Sequence, residues 1–206
     1  DLPEEKYGPV ISSAVVKEIG NTKIPEDKVF RYLSKKKLTM QAEVRGFSTA
    51  KNVYVMHNKQ QYPMVLNNNR YSVDLEGLVD GDVQFVVEDS RGFKTTQEWH
   101  GTYVPYFYPT ITDLVATRDN PTSNHGYMVA KGKWFNGQSN KLIAITEHLA
   151  NERLNTDVVV NSNDFNINKE FSDLNYQNKF TFKLTITDYY GQSVTREYIL
   201  PGSQWT

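Results

Sequence analysis

The chain has 206 residues, 38% of them hydrophobic and 13% aromatic, with no cysteine and a formal net charge of −1. Basic and acidic side chains balance in both halves, 14 against 14 over 1–105 and 9 against 10 over 106–206, which leaves no electrostatic footprint for nucleic acid or an anionic membrane. The lack of cysteine excludes thiolate metal sites, Cys nucleophiles and the inter-sheet disulfide of antibody domains, and no apolar stretch approaches the roughly 20 residues that span a bilayer.

In chain order, Asp1-Leu-Pro-Glu-Glu5 has neither an initiator Met nor a signal pattern, so the sequence reads as cut from a longer chain. Pro9-Val-Ile11 opens a first strand, where a proline does no harm. Lys35-Lys36-Lys37, beside Arg31 and Tyr32, reads as edge-strand lysines that block unwanted pairing, with an acidic partner as the other reading. Leu38, Met40, Ala42 and Val44 then alternate with Thr39, Gln41, Glu43 and Arg45, the period of a half-buried antiparallel strand. Shorter strands are predicted at Val53–Met56 and Tyr71–Leu75, separated by polar turns such as Leu66–Asn69 and Asp80–Asp82.

Val83–Asp89 ends in Asp89-Ser-Arg-Gly92 and continues into a second extended run, Phe93–Trp99. The aspartate caps a turn and the glycine supplies its positive φ. Thr102–Pro109 reads as a short, stiff linker that favours a rod-like pair. Pro109-Thr-Ile111 and Val115 then repeat Pro9-Val-Ile11 and Val15 at an offset of 100 residues. Strands follow at Met128–Trp134 and Leu142–Thr146. For Thr146–Leu154, which has helix formers, a hairpin centred on Ala150-Asn151 is preferred to a helical turn. Asp157–Val160 is a further strand, and Asn161–Asn166 an Asx-rich loop. Phe180, Phe182, Leu184 and Ile186 alternate up to Asp188-Tyr-Tyr-Gly191, the counterpart of Asp89–Gly92 at an offset of 99, followed by Gln192–Leu200. Two units of about 100 residues with some seven short strands each favour two tandem immunoglobulin-like antiparallel β-sandwich domains, 1–105 and 106–206.

The polar clusters of the chain read as turns in place of a catalytic set. His57, His100, His125 and His148 have no metal-ligand spacing and read as ordinary surface histidines. No Gly-x-Ser-x-Gly occurs, and Ser34–Lys37 lacks the partner motifs of a Ser-x-x-Lys enzyme. Asn161–Asn166 has oxygen ligands for calcium but lacks the glycine and glutamate of an EF-hand loop. No catalytic residue, metal or cofactor is therefore expected. Tyr103, Tyr106, Phe107 and Tyr108 are read as packing one domain on the next. The hairpin tip Tyr189-Tyr190 is expected to be exposed and is the candidate binding site, because aromatics stack on sugars and anchor interfaces.

The run Asp89-Ser-Arg-Gly92-Phe-Lys-Thr-Thr, continuing through Tyr-Val-Pro-Tyr-Phe-Tyr-Pro109-Thr-Ile-Thr-Asp-Leu-Val-Ala-Thr-Arg118 to Gly126-Tyr-Met-Val-Ala-Lys-Gly-Lys-Trp134, resembles the tandem immunoglobulin-like modules in tail and baseplate proteins of long-tailed phages of Gram-positive bacteria. The resemblance spans nearly the whole chain, though Tyr189-Tyr190 departs from Ser90-Arg91, and it transfers no functional residue. It implies a non-catalytic virion module on the phage tail, a spacer, adaptor or host-adhesion accessory. Its partners would be other virion or cell-surface proteins, further copies of itself, or host cell-wall glycans, with no nucleic acid and no membrane insertion. The alternatives are a carbohydrate- or cell-wall-binding module of a bacterial surface or phage protein and, lowest, a glycan hydrolase built on two facing carboxylates.

Overall fold

Side chains that alternate apolar and polar give each strand one face to bury, and the computed structural model, which describes residues 7–149 and 151–203, shows where those faces meet. Asp1–Glu5 and Ala150 lie outside the described residues. The chain divides into two units, Asp1–Tyr106 and Phe107–Thr206.

The first unit runs β1 (Val10–Glu18), β2 (Lys28–Phe30), β3 (Lys35–Glu43), β4 (Ala50–His57), β5 (Gln60–Pro63), β6 (Val65–Asn67), β7 (Arg70–Glu76), β8 (Val83–Asp89), β9 (Lys94–Trp99) and β10 (Thr102–Val104). Antiparallel sheets β1-β3-β7-β6 and β5-β4-β8-β9 close over Val16, Leu38, Met40, Val55, Phe85 and Val87. The second unit runs β11 (Thr110–Arg118), β12 (Gly126–Lys133), β13 (Leu142–Leu149), β14 (Glu152–Thr156), β15 (Val159–Asn161), β16 (Asp164–Phe171), β17 (Phe180–Asp188) and β18 (Ser193–Leu200). Its sheets β11-β12-β16-β15 and β14-β13-β17-β18 bury Leu114, Met128, Phe165, Phe171, Phe182 and Leu184. Both units have the immunoglobulin order, ABED against C′CFG. Even the bulge in the first strand recurs, between Ile11 and Ser13 and again between Ile111 and Asp113.

Packing explains the composition of β12. Its inward residues are Gly126, Met128, Ala130 and Gly132, and the two glycines pair across the strands with Phe171 and Phe165. A Cβ at Gly132 would collide with the Thr110 carbonyl oxygen and the Phe165 ring. Small residues opposite large ones let the two rings enter the core.

Several expectations change. The lysine run lies on a central strand, since β3 pairs with both β1 and β7. Its phase turns Lys36 inward to full burial, with Nζ 3.0 Å from the Glu18 carboxylate. The expected linker begins inside the first unit. Thr102–Val104 is β10, paired in parallel with β2, and Tyr106 is buried 5.8 Å from the Phe30 ring centroid. Thr146–Leu154 is the β13–β14 hairpin, with Asn151 at positive φ. Asp157–Val160 is not one strand, because β14 ends at Thr156 and β15 begins at Val159. Asn161 pairs with Asp164, so the Asx-rich run turns the β15–β16 hairpin, Ser162 taking φ 54°.

Candidate functional site

The two F–G hairpins hold the residues the sequence singled out. In the first, Asp89 Oδ1 accepts from the backbone amides of Arg91 (2.9 Å) and Phe93 (3.1 Å), and Oδ2 from the Arg91 guanidinium at 2.7 Å. Burial opposes charge on Asp89, but the Arg91 side chain and those amides outweigh it, leaving the carboxyl below its ordinary range. Gly92 closes the turn at φ 91° with its amide on the Asp89 carbonyl at 3.0 Å. In the second hairpin Asp188 Oδ1 accepts from the Gln192 amide at 3.1 Å, and Gly191 closes the turn at φ 85°. Both tips are tied to the segment before strand C. The Ser90 amide donates to the Thr49 carbonyl at 2.8 Å, and the Tyr189 amide to that of Lys141 at 2.9 Å.

Tyr189 and Tyr190, expected together at an exposed tip, have different surroundings. Tyr189 is 44% exposed, whereas Tyr190 is buried and its hydroxyl donates to the Gln138 carbonyl at 2.6 Å. Burial, then the neighbouring Tyr189 and Asp188, raise its pKa. The ring of Tyr190 packs edge-on against Tyr189, centroids 5.2 Å apart, so the pair offers solvent one ring instead of a two-ring platform. The substitution of Tyr190 for Arg91 changes how the hairpin is anchored.

Tyr103, Tyr106 and Phe107 each have a partner within their own unit. Tyr103 packs on the first core and its hydroxyl donates to the Gly81 carbonyl at 2.6 Å. Burial, helped by the charges of Asp80 and Asp82, pushes it up to about 12. Phe107 meets Phe135 edge to face at 6.0 Å within the second unit, and Tyr108 is partly exposed.

Three histidines have surroundings that sequence reasoning missed. His57 is buried, Nδ1 lying 3.1 Å from the Asp82 carbonyl. His100 bridges Asp82 (3.0 Å) and Glu98 (3.3 Å), and the hydrogen bond to Asp82 raises its pKa first. His125 bridges Asp119 at 2.6 Å and Glu170 at 3.2 Å, and hydrogen bonds to these two raise its pKa. Beside it Arg118 spans four carbonyls, of Ser123, Leu174, Asn175 and Asn178. These contacts tie the A–B turn of the second unit to its E strand and E–F loop. Only the third dimension brings Asp119, His125 and Glu170 together, so no sequence spacing announced them. Among the described residues no group of three or more His, Asp or Glu side chains is arranged to hold a metal ion, and no helix is long and apolar enough to cross a membrane.

No known family profile and no curated protein matches this chain. Solved structures do. A chimeric titin Z1Z2 carrying a decorin peptide is 8% identical, with a TM-score of 0.37, and the match covers 96% of this chain and 97% of that one. The Ig1-2 module of the Drosophila receptor tyrosine phosphatase DLAR is 13% identical, with a TM-score of 0.32, covering 95% and 99%. A bacterial ice-binding adhesin is 17% identical, with a TM-score of 0.39, covering 92% of this chain and 63% of that one. The class rests on strand order and register within the chain itself: a tandem pair of immunoglobulin-like modules.

Proposed function

We propose that the pair is a non-catalytic virion structural module, a spacer or adaptor in the tail or baseplate of a long-tailed phage of Gram-positive bacteria. The observation that carries the structural reading is Tyr190. Its burial turns the most distinctive tip in the chain into packing and removes the two-ring platform that glycan stacking there would need. The phage reading draws on the resemblance of Asp89–Trp134. Its partners are other virion or cell-surface proteins and further copies of the chain, and its location is the virion tail or, on the alternative reading, the bacterial surface.

Antibodies raised against the 206-residue chain test this on virions and host cells of a strain that carries the gene. Gold label on tails or baseplates is the expected result. Label confined to the bacterial surface, with bare virions, would assign the chain to a surface protein instead.

A further inference from the structure

The outer face of sheet β1-β3-β7-β6 holds a shallow trough of about 880 Å³. Lys17, Lys37 and Arg70 line it, and no carboxylate does. Lys17 and Lys37 are cross-strand partners at one end. Arg70 lies at the other end, next in register after the Met40–Tyr71 pair and so beside Gln41, four residues along β3 from Lys37. At the rise of an antiparallel strand the two ends stand about 14 Å apart. Between them the floor carries the hydroxyls of Ser13, Thr39 and Ser72, with Val15 its one apolar side chain. The amides of Gln41, Asn67 and Asn68 complete it, the last on a turn where Asn68 and Asn69 both have positive φ.

None of these nine polar side chains forms a hydrogen bond or ion pair with another described residue. Lys37 remains unpaired even though Asp74 is its cross-strand partner on the same face. On the opposite sheet, by contrast, the Asn52 side chain is tied to Glu88 at 2.6 Å. Three cations converge on this concave surface, and Asp74, the carboxylate in register beside them, forms no ion pair with Lys37, so the trough keeps an excess of positive charge.

The second unit supplies an internal comparison, because its equivalent sheet has the same register. Thr117 stands in place of Lys17, Tyr127 of Lys37 and Asn166 of Arg70, while Val129 replaces Thr39. The scaffold therefore does not require these cations, and only the first copy carries them.

We infer that this trough binds a polyhydroxylated chain bearing phosphate or carboxylate groups, with Lys17 and Lys37 holding one anionic group and Arg70 the next. Hydroxyls and side-chain amides between the charges match a polyol or sugar backbone, and Arg70 matches a phosphate or carboxylate fork. The lining has no aromatic ring to stack a nucleobase or to anchor a peptide. The site stands independently of the virion assignment.

The test is titration of the 206-residue chain at low ionic strength with poly(glycerol phosphate) and with polygalacturonate. Neutral dextran, an oligothymidylate and polyglutamate are the comparisons, read by calorimetry and by amide shifts. Expected is binding of one or both anionic polyols, with shifts confined to β1, β3 and β7, and none of dextran. Which polyol binds tells phosphate from carboxylate. Affinity should fall at least tenfold in the Lys37→Gln/Arg70→Gln double variant, whose fold is verified by thermal melting, and stay unchanged in Lys131→Gln on the equivalent face of the second unit. The inference is overturned if neither polyol binds or if the double variant binds as well as the parent. Equally tight binding of the oligothymidylate or polyglutamate also overturns it, since charge alone would then be the signal.

Discussion

Glu18 and Lys36 form the most buried ion pair in the first unit, with side-chain exposures of 1% and 0%. One carboxylate oxygen faces the ammonium, and the other accepts from the amides of Gly20 (2.9 Å), Asn21 (3.2 Å) and Lys35 (3.0 Å). The ammonium also donates to the Glu26 carbonyl at 3.2 Å. Removing one member of such a pair strands the other without water, a loss of about 3–5 kcal/mol. Glu18→Gln is therefore expected to lower the stability of the first unit by that order in denaturant unfolding, and Glu18→Gln/Lys36→Met by less than the sum of the single changes. His125 makes a pH-dependent contribution to the second unit. Its folded pKa lies above the ordinary 6.5, so its stabilising effect is fully present below that value and fades as pH rises through the raised one. Thermal midpoints of the second unit should fall as pH rises above 6.5 and through the raised His125 pKa, and His125→Gln should flatten that fall. A slope unchanged in the variant would place the titration elsewhere.

Among the elements, β12 shows how tightly composition is tied to packing. Gly132→Ala must push a methyl group toward the Thr110 carbonyl and the Phe165 ring. Overpacking of this kind costs about 1–3 kcal/mol, and a backbone obstacle yields less than a side chain does. The expected outcome is a lower midpoint for the second unit, partly recovered by Phe165→Leu, which vacates the space. The element scale is also where legibility in the sequence divides. Strands with one wet face were readable from period two, as Phe182, Leu184 and Ile186 illustrate, and so were turns with a side-chain cap and a glycine. Lys36 was readable in principle, since it shares phase with Leu38 and Met40, but the charge run masked the phase. β2 and β10 were not, because three-residue strands paired in parallel about 74 residues apart leave no local period. The burial of Tyr190 depended on the Gln138 carbonyl from another loop. The cationic trough depended on register across three strands, so the candidate site was the least legible part.

At the scale of the whole chain, the two units share one frame and differ in their surfaces. Strand order, the first-strand bulge and the F–G turn recur, while the A–B segment differs. In the first unit 19–34 holds β2 and the loop clasped by Glu18; in the second a short turn, 119–125, is fixed by His125 and Arg118. Each hydrophobic cluster draws its residues from one unit. A core closed within its own sequence unit can melt as its own cooperative block. Calorimetry of the 206-residue chain should resolve two transitions, with Glu18→Gln lowering only one and Gly132→Ala only the other. If both substitutions moved one shared transition, the units would be a single cooperative body and each copy's surface could no longer vary independently of its neighbour's stability. Separate transitions would explain how one copy could acquire Lys17, Lys37 and Arg70 on an outer sheet face while the other filled the same register with Thr117, Tyr127 and Asn166.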